Sequence, residues 1–220
     1  MLKIAYHPIY KYTLPEGHRF PMAKYELLPK FLLKHGICTE TNFFEPKKVS
    51  AEVIKQVHTE AYYNRLINLE IDKKEIRKMG FPLRSELVER GHYIIDGTIT
   101  GCEFALQHGV AMNIAGGTHH AYANHGEAFC LLNDQAVAAQ YLLDRNLAKQ
   151  ILIVDLDVHQ GNGTAKIFEA EPRVFTFSLH GAKNYPFKKE KSDLDIGLED
   201  GTEDDEYLSV LKNTLPMLLK

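Results

Sequence analysis

The chain has 220 residues, of which 45% are hydrophobic and 25% charged, a composition typical of a globular domain with one substantial core. The net charge of −3 argues against direct nucleic-acid binding. Three cysteines are too few for a disulfide framework and favour a reduced, cytoplasmic protein. No apolar run is long enough to cross a bilayer, so we expect no membrane partner.

The first half of the chain predicts mostly helices. In chain order we expect a strand at 2–6, a helix at 22–35, one or two short helices at 50–69 and a long helix at 84–108. Residues 71–81 are rich in charge, and we interpret them as a solvated surface connection. The long helix contains Gly91, Gly97 and Gly101, each costing about 1 kcal/mol relative to alanine. Close packing of this helix on a sheet would explain them.

The second half alternates strands with helices. We expect strands at 110–115, 150–158 and 173–180, and helices at 133–146, 161–170 and from about Glu203 onward. Such alternation predicts an α/β fold with a parallel sheet covered by helices on both faces. In these sheets ligands bind at the carboxyl ends of the strands.

The stretch GGTHHA, residues 116–121, places His119 and His120 side by side after a predicted strand. Imidazoles titrate near neutral pH, so a pair of them can remove a proton from water and deliver one to a leaving group. Each would need an acceptor on its far nitrogen, for which Asp155 and Asn162 are candidates. The alternative is that both histidines only bind local backbone groups.

The stretch DLDVHQGNG carries Asp155, Asp157 and His159 at alternate positions. In an extended strand, alternate side chains share one face. Two carboxylates and an imidazole on one face favour a divalent cation, and this donor set suits zinc or a similar metal. The alternative is a pair of aspartates that cap backbone groups beside a surface histidine.

Three motifs together resemble the zinc-dependent histone deacetylase superfamily, which includes bacterial acetoin-utilisation proteins and acetylpolyamine amidohydrolases. They are GGTHHA, GEAFCLLND at 126–134 and DLDVHQGNGTA at 155–165. Residues 184–208 resemble the class IV branch and its bacterial relatives. The resemblance implies an arginase/deacetylase fold, a three-layer αβα arrangement with a mostly parallel sheet. It also implies one domain, residues 1–220, covering the N-terminal two thirds of the family domain.

The resemblance implies one Zn²⁺ per chain with Asp157 and His159 as ligands. His120 matches the general base, and Asn162 stands where many members have an aspartate, which would leave this imidazole less basic. His119 matches the histidine that pairs with a buried aspartate, here Asp155.

Further residues match a substrate channel and a second cation site. Gly117 and Phe129 correspond to the acyl-lysine channel, and Arg19 to an arginine of an internal acetate-exit region. The resemblance also implies a structural K⁺ site, formed by Asp155, Asp157, His159, Ser178 and Leu179.

The implied activity is hydrolysis of an acetyl or other acyl amide by water that the zinc activates. The substrate would be an acetylated lysine in a protein or peptide, or a small acetylated amine.

Two of the family's functional residues have no counterpart in this sequence. The third zinc ligand, an aspartate, and the oxyanion-stabilising tyrosine come later in the family domain than Lys220. The chain could be a fragment, a truncated protein with impaired chemistry, or a protein that receives these groups from elsewhere. We interpret Tyr122 and Tyr185 as packing residues.

Two other functions remain open from the sequence. A non-catalytic module that binds acyl-lysine or a metal would not need the two missing residues. An arginase-like ureohydrolase with a manganese pair would need a D-x-H-x-D pattern, whereas Asp155, Asp157 and His159 follow D-x-D-x-H order.

Overall fold

The computed structural model describes residues 1–219, which divide into two compact units. The first unit is Met1–Leu147, and the second begins at Ala148. That the whole chain is one deacetylase domain stays a prediction.

The first unit contains a small parallel sheet and six helices. Its strands are β1 (Lys3–Ala5), β2 (Phe43–Phe44) and β3 (Ala111–Asn113), and its helices are α1 (Lys24–Lys34), α2 (Ala51–Ile54), α3 (Glu60–Ile67), α4 (Lys73–Met79), α5 (Ser85–His108) and α6 (Asp134–Asp144). The strand order is β2-β1-β3, and both pairings are parallel. Single 3₁₀ turns lie at Pro8–Tyr10 and Glu40–Asn42.

Helix α5 packs against β1 and β3 and carries the largest share of the buried core of this unit. Gly97 lies where α5 comes closest to β1 and β3. A Cβ built there would lie 3.1 Å from the Cβ of Ala5 and 2.9 Å from Nδ2 of Asn113, and would clash with the hydroxyl of Tyr10. Close helix–sheet packing therefore requires a glycine at position 97.

The second unit contains another parallel sheet and two helices. Its elements are β4 (Ile151–Asp155), α7 (Asn162–Phe168), β5 (Val174–Gly181), β6 (Leu194–Leu198) and α8 (Asp204–Leu218). The strand order is β4-β5-β6, again with parallel pairings. The α/β class with parallel strands is confirmed.

The interpretation of residues 71–81 as a surface connection was wrong, because they contain α4. The carboxylate of Asp72 caps this helix by accepting from the backbone N–H groups of Lys74 (2.7 Å) and Glu75 (2.9 Å). Gly80 ends it with a φ of 81°, and Met79 is fully buried. The charged residues of this stretch thus lie mostly on the exposed face of a short, capped helix.

The strand expected at 150–158 ends at Asp155, so Asp157 and His159 lie beyond it. The expectation that alternation along a strand places these side chains on one face was therefore wrong. The sequence analysis also did not predict β2 or β6. β2 has only two residues, and β6 contains a glycine and an aspartate, so neither shows a clear strand pattern.

Among residues 1–219, no helix combines the length and the apolar character needed to cross a membrane.

We expect Gly97→Ala to lower the free energy of unfolding by about 1–3 kcal/mol, because the added methyl group overpacks the contact between α5 and β1. Gly101→Ala is the matched control on the same helix. The nearest atom to a Cβ there is 3.8 Å away, so higher helix propensity should leave stability unchanged or raise it by up to about 1 kcal/mol. Urea unfolding measures both. Equal losses would contradict the close-packing account.

Candidate functional site

The tandem histidines are buried in the first unit. His119 is 7% exposed and His120 is 4% exposed, and their ring centroids lie 4.0 Å apart with an interplanar angle of 41°. They lie in the segment that follows β3, at residues 116–126, which we call the histidine loop. Two imidazoles this close and this far from solvent form a defined pair.

The start of the histidine loop is fixed by the carboxylate of Asp134, the first residue of α6, which is fully buried. This carboxylate accepts the backbone N–H groups of Gly117 (3.1 Å) and Thr118 (2.7 Å). It also accepts the hydroxyls of Thr118 (2.5 Å) and Thr98 (2.5 Å), and Thr98 belongs to α5. Four donors on one carboxylate offset the cost of burying its charge.

These hydrogen bonds to Asp134 explain the two glycines that precede the histidines. A Cβ on Gly116 would lie 2.9 Å from Oδ2 of Asp134 and 3.3 Å from Oγ1 of Thr98. Gly117 has a φ of 86°, a left-handed conformation that favours glycine. The GG pair lets the backbone approach the carboxylate and turn toward His119.

The residue before Asp134 holds the other side of the pair. Asn133 is fully buried, and its side-chain amide donates to the carbonyl of Ala121 at 3.1 Å. Its Oδ1 accepts from the N–H of Ala136 at 3.0 Å and so caps α6. His119 and His120 are therefore held between contacts made by two adjacent residues, Asn133 and Asp134. Neither side chain is among the site residues expected from the sequence, although Asn-Asp before a helix is a recognisable capping signal.

Phe129 lies in a strained turn of the first unit. Ala128 and Phe129 have φ values of 44° and 67°, and their N–H groups donate to the carbonyls of Lys78 and Met79. The ring of Phe129 contacts Phe20 and Phe81, and the guanidinium of Arg19 lies 4.9 Å from its centroid. Left-handed non-glycine residues cost about 1–3 kcal/mol each and often occur at functional sites. The channel roles of Gly117 and Phe129, and the exit-region role of Arg19, stay predictions.

In the second unit, Asp155 ends β4 and begins two successive side-chain turns. Oδ1 of Asp155 accepts from the N–H of Asp157 at 3.0 Å, and Oδ1 of Asp157 accepts from the N–H of His159 at 2.8 Å. These turns bring Nδ1 of His159 to 3.1 Å from Oδ1 of Asp157. The two side chains therefore meet through turns that the aspartates make, and not through the pleat of a strand.

The spacing of Asp157 and His159 fits two ligands of one zinc ion, and their binding of zinc stays a prediction. Two atoms bound to a tetrahedral zinc at about 2.0–2.1 Å lie roughly 3.3 Å apart, close to the 3.1 Å between these two atoms. Both side chains are partly exposed, at 50% and 40%. Across residues 1–219, no three His, Cys, Asp or Glu side chains form a group that could hold a metal.

The residues expected around a K⁺ ion cluster in the second unit. Asp155 and Ser178 are direct partners across β4 and β5, and Leu179 follows on β5. The hydroxyl of Ser178 lies 2.9 Å from Nδ1 of His180, and burial lowers the pKa of that histidine. Binding of K⁺ stays a prediction.

Two other residues of this unit bear on the site. Asn162 is buried at the start of α7. The ring of Tyr185 lies 6.0 Å from the ring of His159 and nearly perpendicular to it. From the sequence we interpret Tyr185 as a packing residue, and nothing in its motif indicates this closeness to a candidate metal ligand.

The structure thus groups the expected site residues within each unit. His119, His120, Gly117 and Phe129 belong to the first unit, and Asp155, Asp157, His159, Asn162, Ser178 and Leu179 to the second. The pairing of His119 with Asp155 and of His120 with Asn162 stays a prediction.

We expect Asp134→Asn to lower the free energy of unfolding by about 2–4 kcal/mol, because an amide cannot accept from all four donors and brings its own N–H groups against them. Asp144→Asn, at the exposed end of the same helix, is the control and should cost less than about 0.5 kcal/mol. Chemical denaturation measures both. A loss for Asp134→Asn no larger than that of the control would contradict the anchoring role.

The chain is similar to histone deacetylases in sequence and fold. The family described as histone deacetylase domain matches residues 18–220. An uncharacterized protein of Picosynechococcus is 44% identical over 98% of this chain and 72% of its own length. Histone deacetylase 2 of Arabidopsis thaliana is 29% identical, covering 90% of this chain and 54% of that protein. Acetoin utilization protein AcuC of Bacillus subtilis is 26% identical, covering 94% and 59%.

Two solved structures share the fold. An HDAC homolog from Aquifex aeolicus superposes with a TM-score of 0.84 at 26% identity, covering 99% of this chain and 64% of that one. An HDAC homolog complexed with SAHA gives a TM-score of 0.87 at 27% identity, with the same coverage. The chain therefore spans about two thirds of these structures and little more than half of the Arabidopsis and Bacillus relatives. The expected arginase/deacetylase-type α/β fold is confirmed, and the chain belongs to the histone deacetylase family.

Proposed function

We propose that this chain carries the acid–base pair and part of the metal site of a zinc-dependent amide hydrolase that removes an acetyl or other acyl group from lysine or a related amine. The observation that carries the proposal is the buried pair His119–His120, held by Asp134 within a domain of this family. Since the chain spans only part of most relatives, activity of these 220 residues is itself part of the proposal.

The histidine pair carries out the proton transfers of the proposed reaction. His120 accepts a proton from the attacking water, and the pair then returns a proton to the departing amine. The ring centroids of the two histidines lie 4.0 Å apart. Hydrolysis of an amide needs both proton transfers, since water must lose a proton and the departing amine must gain one. Burial excludes bulk water from this exchange.

Asp157 and His159 would hold the zinc ion, as their 3.1 Å contact allows. When bound, zinc supplies Lewis-acid chemistry that activates water and polarises an acyl carbonyl. Catalytic zinc sites usually have three protein ligands, so two ligands predict weaker binding than a complete site would give.

Acyl-lysine in a protein or peptide, or a small acetylated amine, is the substrate class we propose. The structural neighbour complexed with SAHA supports it, as does the aromatic cluster around Phe129. A cytoplasmic location, a class IV-like lineage and a structural K⁺ near Ser178 belong to the same proposal. They are supported by cysteine usage, by residues 184–208 and by the Asp155–Ser178 pairing, respectively.

A non-catalytic acyl-lysine or metal-binding module is the second candidate. One observation favours it: the described residues bring two zinc-type ligands together and no group of three. Such a module would bind zinc or an acylated peptide without releasing acetate.

Substitution of His120 tests the catalytic proposal. We expect zinc-dependent release of acetate from an acetyl-lysine peptide, and a loss of about 10²–10⁴-fold in kcat for His120→Ala, because general-base catalysis is removed. His35→Ala, at the exposed end of α1, is the control and should retain full activity. Unchanged turnover in His120→Ala would refute the acid–base role. Binding without turnover in the parent chain would favour the module.

Zinc titration with a competing chelator tests the metal ligands separately from turnover. Asp157→Asn and His159→Ala should each weaken zinc binding at least about tenfold, because each removes one of two ligands. Asp200→Asn, an exposed carboxylate of the same unit, should leave zinc affinity unchanged. Equal zinc affinity in all four proteins would exclude Asp157 and His159 as ligands.

A further inference from the structure

A third histidine of the first unit, His58, is more deeply buried than the tandem pair. It is 1% exposed and precedes α3, sixty-one residues before His119 in the sequence. The ring of Tyr62 lies 6.0 Å from it, and burial raises the pKa of this neighbouring tyrosine. No charged side chain contributes to the pKa of His58. Buried polar side chains usually have a hydrogen-bond partner, and His58 has one at Nε2.

The hydrogen bond of His58 fixes its protonation. Nε2 accepts from the backbone N–H of Asn133 at 2.9 Å, so this nitrogen carries no proton. In a neutral imidazole the proton then lies on Nδ1. Nδ1 faces the backbone of Tyr122 and Ala123, in the histidine loop, without forming a hydrogen bond of normal geometry.

The contacts around His58 converge on the part of the histidine loop that follows His120. The N–H of Thr59 donates to the carbonyl of Ala123 at 2.8 Å. The backbone N–H of Asn133 donates to His58, and its side-chain amide donates to the carbonyl of Ala121 at 3.1 Å. Thr59, next to His58, thus holds Ala123, and Asn133, whose backbone is bonded to His58, holds Ala121.

We propose that His58 is a positioning residue for the tandem histidines: as a neutral Nδ1–H tautomer it joins the start of α3, the start of α6 and residues 121–123, and so fixes His120 in place. Asp134 fixes the loop before His119, and His58 with Asn133 fixes it after His120. This role rests on the proposed function, because positioning matters only if the pair does chemistry.

Protonation of His58 would break this arrangement, because Nε2 would become a donor facing the N–H of Asn133. Burial opposes that step and lowers the pKa of His58 from 6.5 to about 4. An unfolded chain therefore takes up this proton between pH 6.5 and about 4, while the folded chain does not. The stability that neutral His58 contributes is complete above pH 6.5 and declines as the pH falls toward 4.

Long-range ¹H–¹⁵N spectra of the histidine side chains in the whole chain test the tautomer first. We expect His58 to show a protonated Nδ1 and a bare Nε2 from pH 8 down to about pH 5. A protonated Nε2, or a His58 that gains a second proton near pH 6.5, would overturn the proposal before any variant is made.

Two substitutions then test positioning. His58→Gln places an amide oxygen near the position of Nε2 and can still accept from Asn133, whereas His58→Leu fills the space without an acceptor. We expect His58→Gln to keep the spectra of His119 and His120, and His58→Leu to shift both. His92→Gln is the control, because His92 is also buried but bonds to Val49 and Tyr63 instead of the loop. It should lose stability without shifting His119 or His120.

With an acetyl-lysine peptide, we expect His58→Leu to lower kcat at least about tenfold with KM changed less than about threefold, and His58→Gln to restore kcat. If the parent chain has no turnover, the proposed function fails while the spectra still decide the positioning role. Loss of the His119 and His120 signals in His58→Gln as well, or no shift in a folded His58→Leu, would overturn the proposal.

Discussion

The buried carboxylate of Asp134 is the interaction on which the tandem-histidine part of the candidate site depends. A charge removed from water is tolerated only when donors surround it, and all four donors here come from Gly117, Thr118 and Thr98. The carboxylate therefore ties the histidine loop to both α5 and α6. Because Gly97 lets α5 pack directly against β1, the hydrogen bonds of Asp134 connect the loop through α5 to the sheet.

A second set of hydrogen bonds fixes the histidine loop on the other side of the pair, after His120. Asn133, adjacent to Asp134, caps α6 and holds Ala121, and its backbone is held in turn by His58. In the second unit, turns made by aspartate side chains bring Asp157 and His159 together after the end of β4. Both parts of the candidate site thus lie on loops fixed by buried or turn-forming carboxylates and amides, just after the carboxyl ends of parallel strands.

Much of this could be predicted from local sequence. The long helix α5, the capped helix α6 and strand β5 have clear periodicity, and His119 and His120 became candidates through their adjacency together with the nearby DLDVH motif. What could not be predicted depends on contacts between distant residues: Thr118 meets Asp134 across 16 positions, and His58 meets Asn133 across 75. The short strands β2 and β6 also depend on pairing with neighbouring strands. The end of β4 at Asp155 is set by a side-chain turn, which hydrophobic periodicity cannot predict.

The most direct test of the central claim, that this chain hydrolyses an acyl amide with water, uses an acetyl-lysine peptide, zinc and ¹⁸O-labelled water. Mass spectrometry of the products reports where the label goes. The account predicts one labelled oxygen in the released acetate, an equal amount of free lysine amine, and neither product from a chain stripped of zinc. Acetate formation no higher than in the zinc-free control, at saturating zinc and peptide, would contradict it.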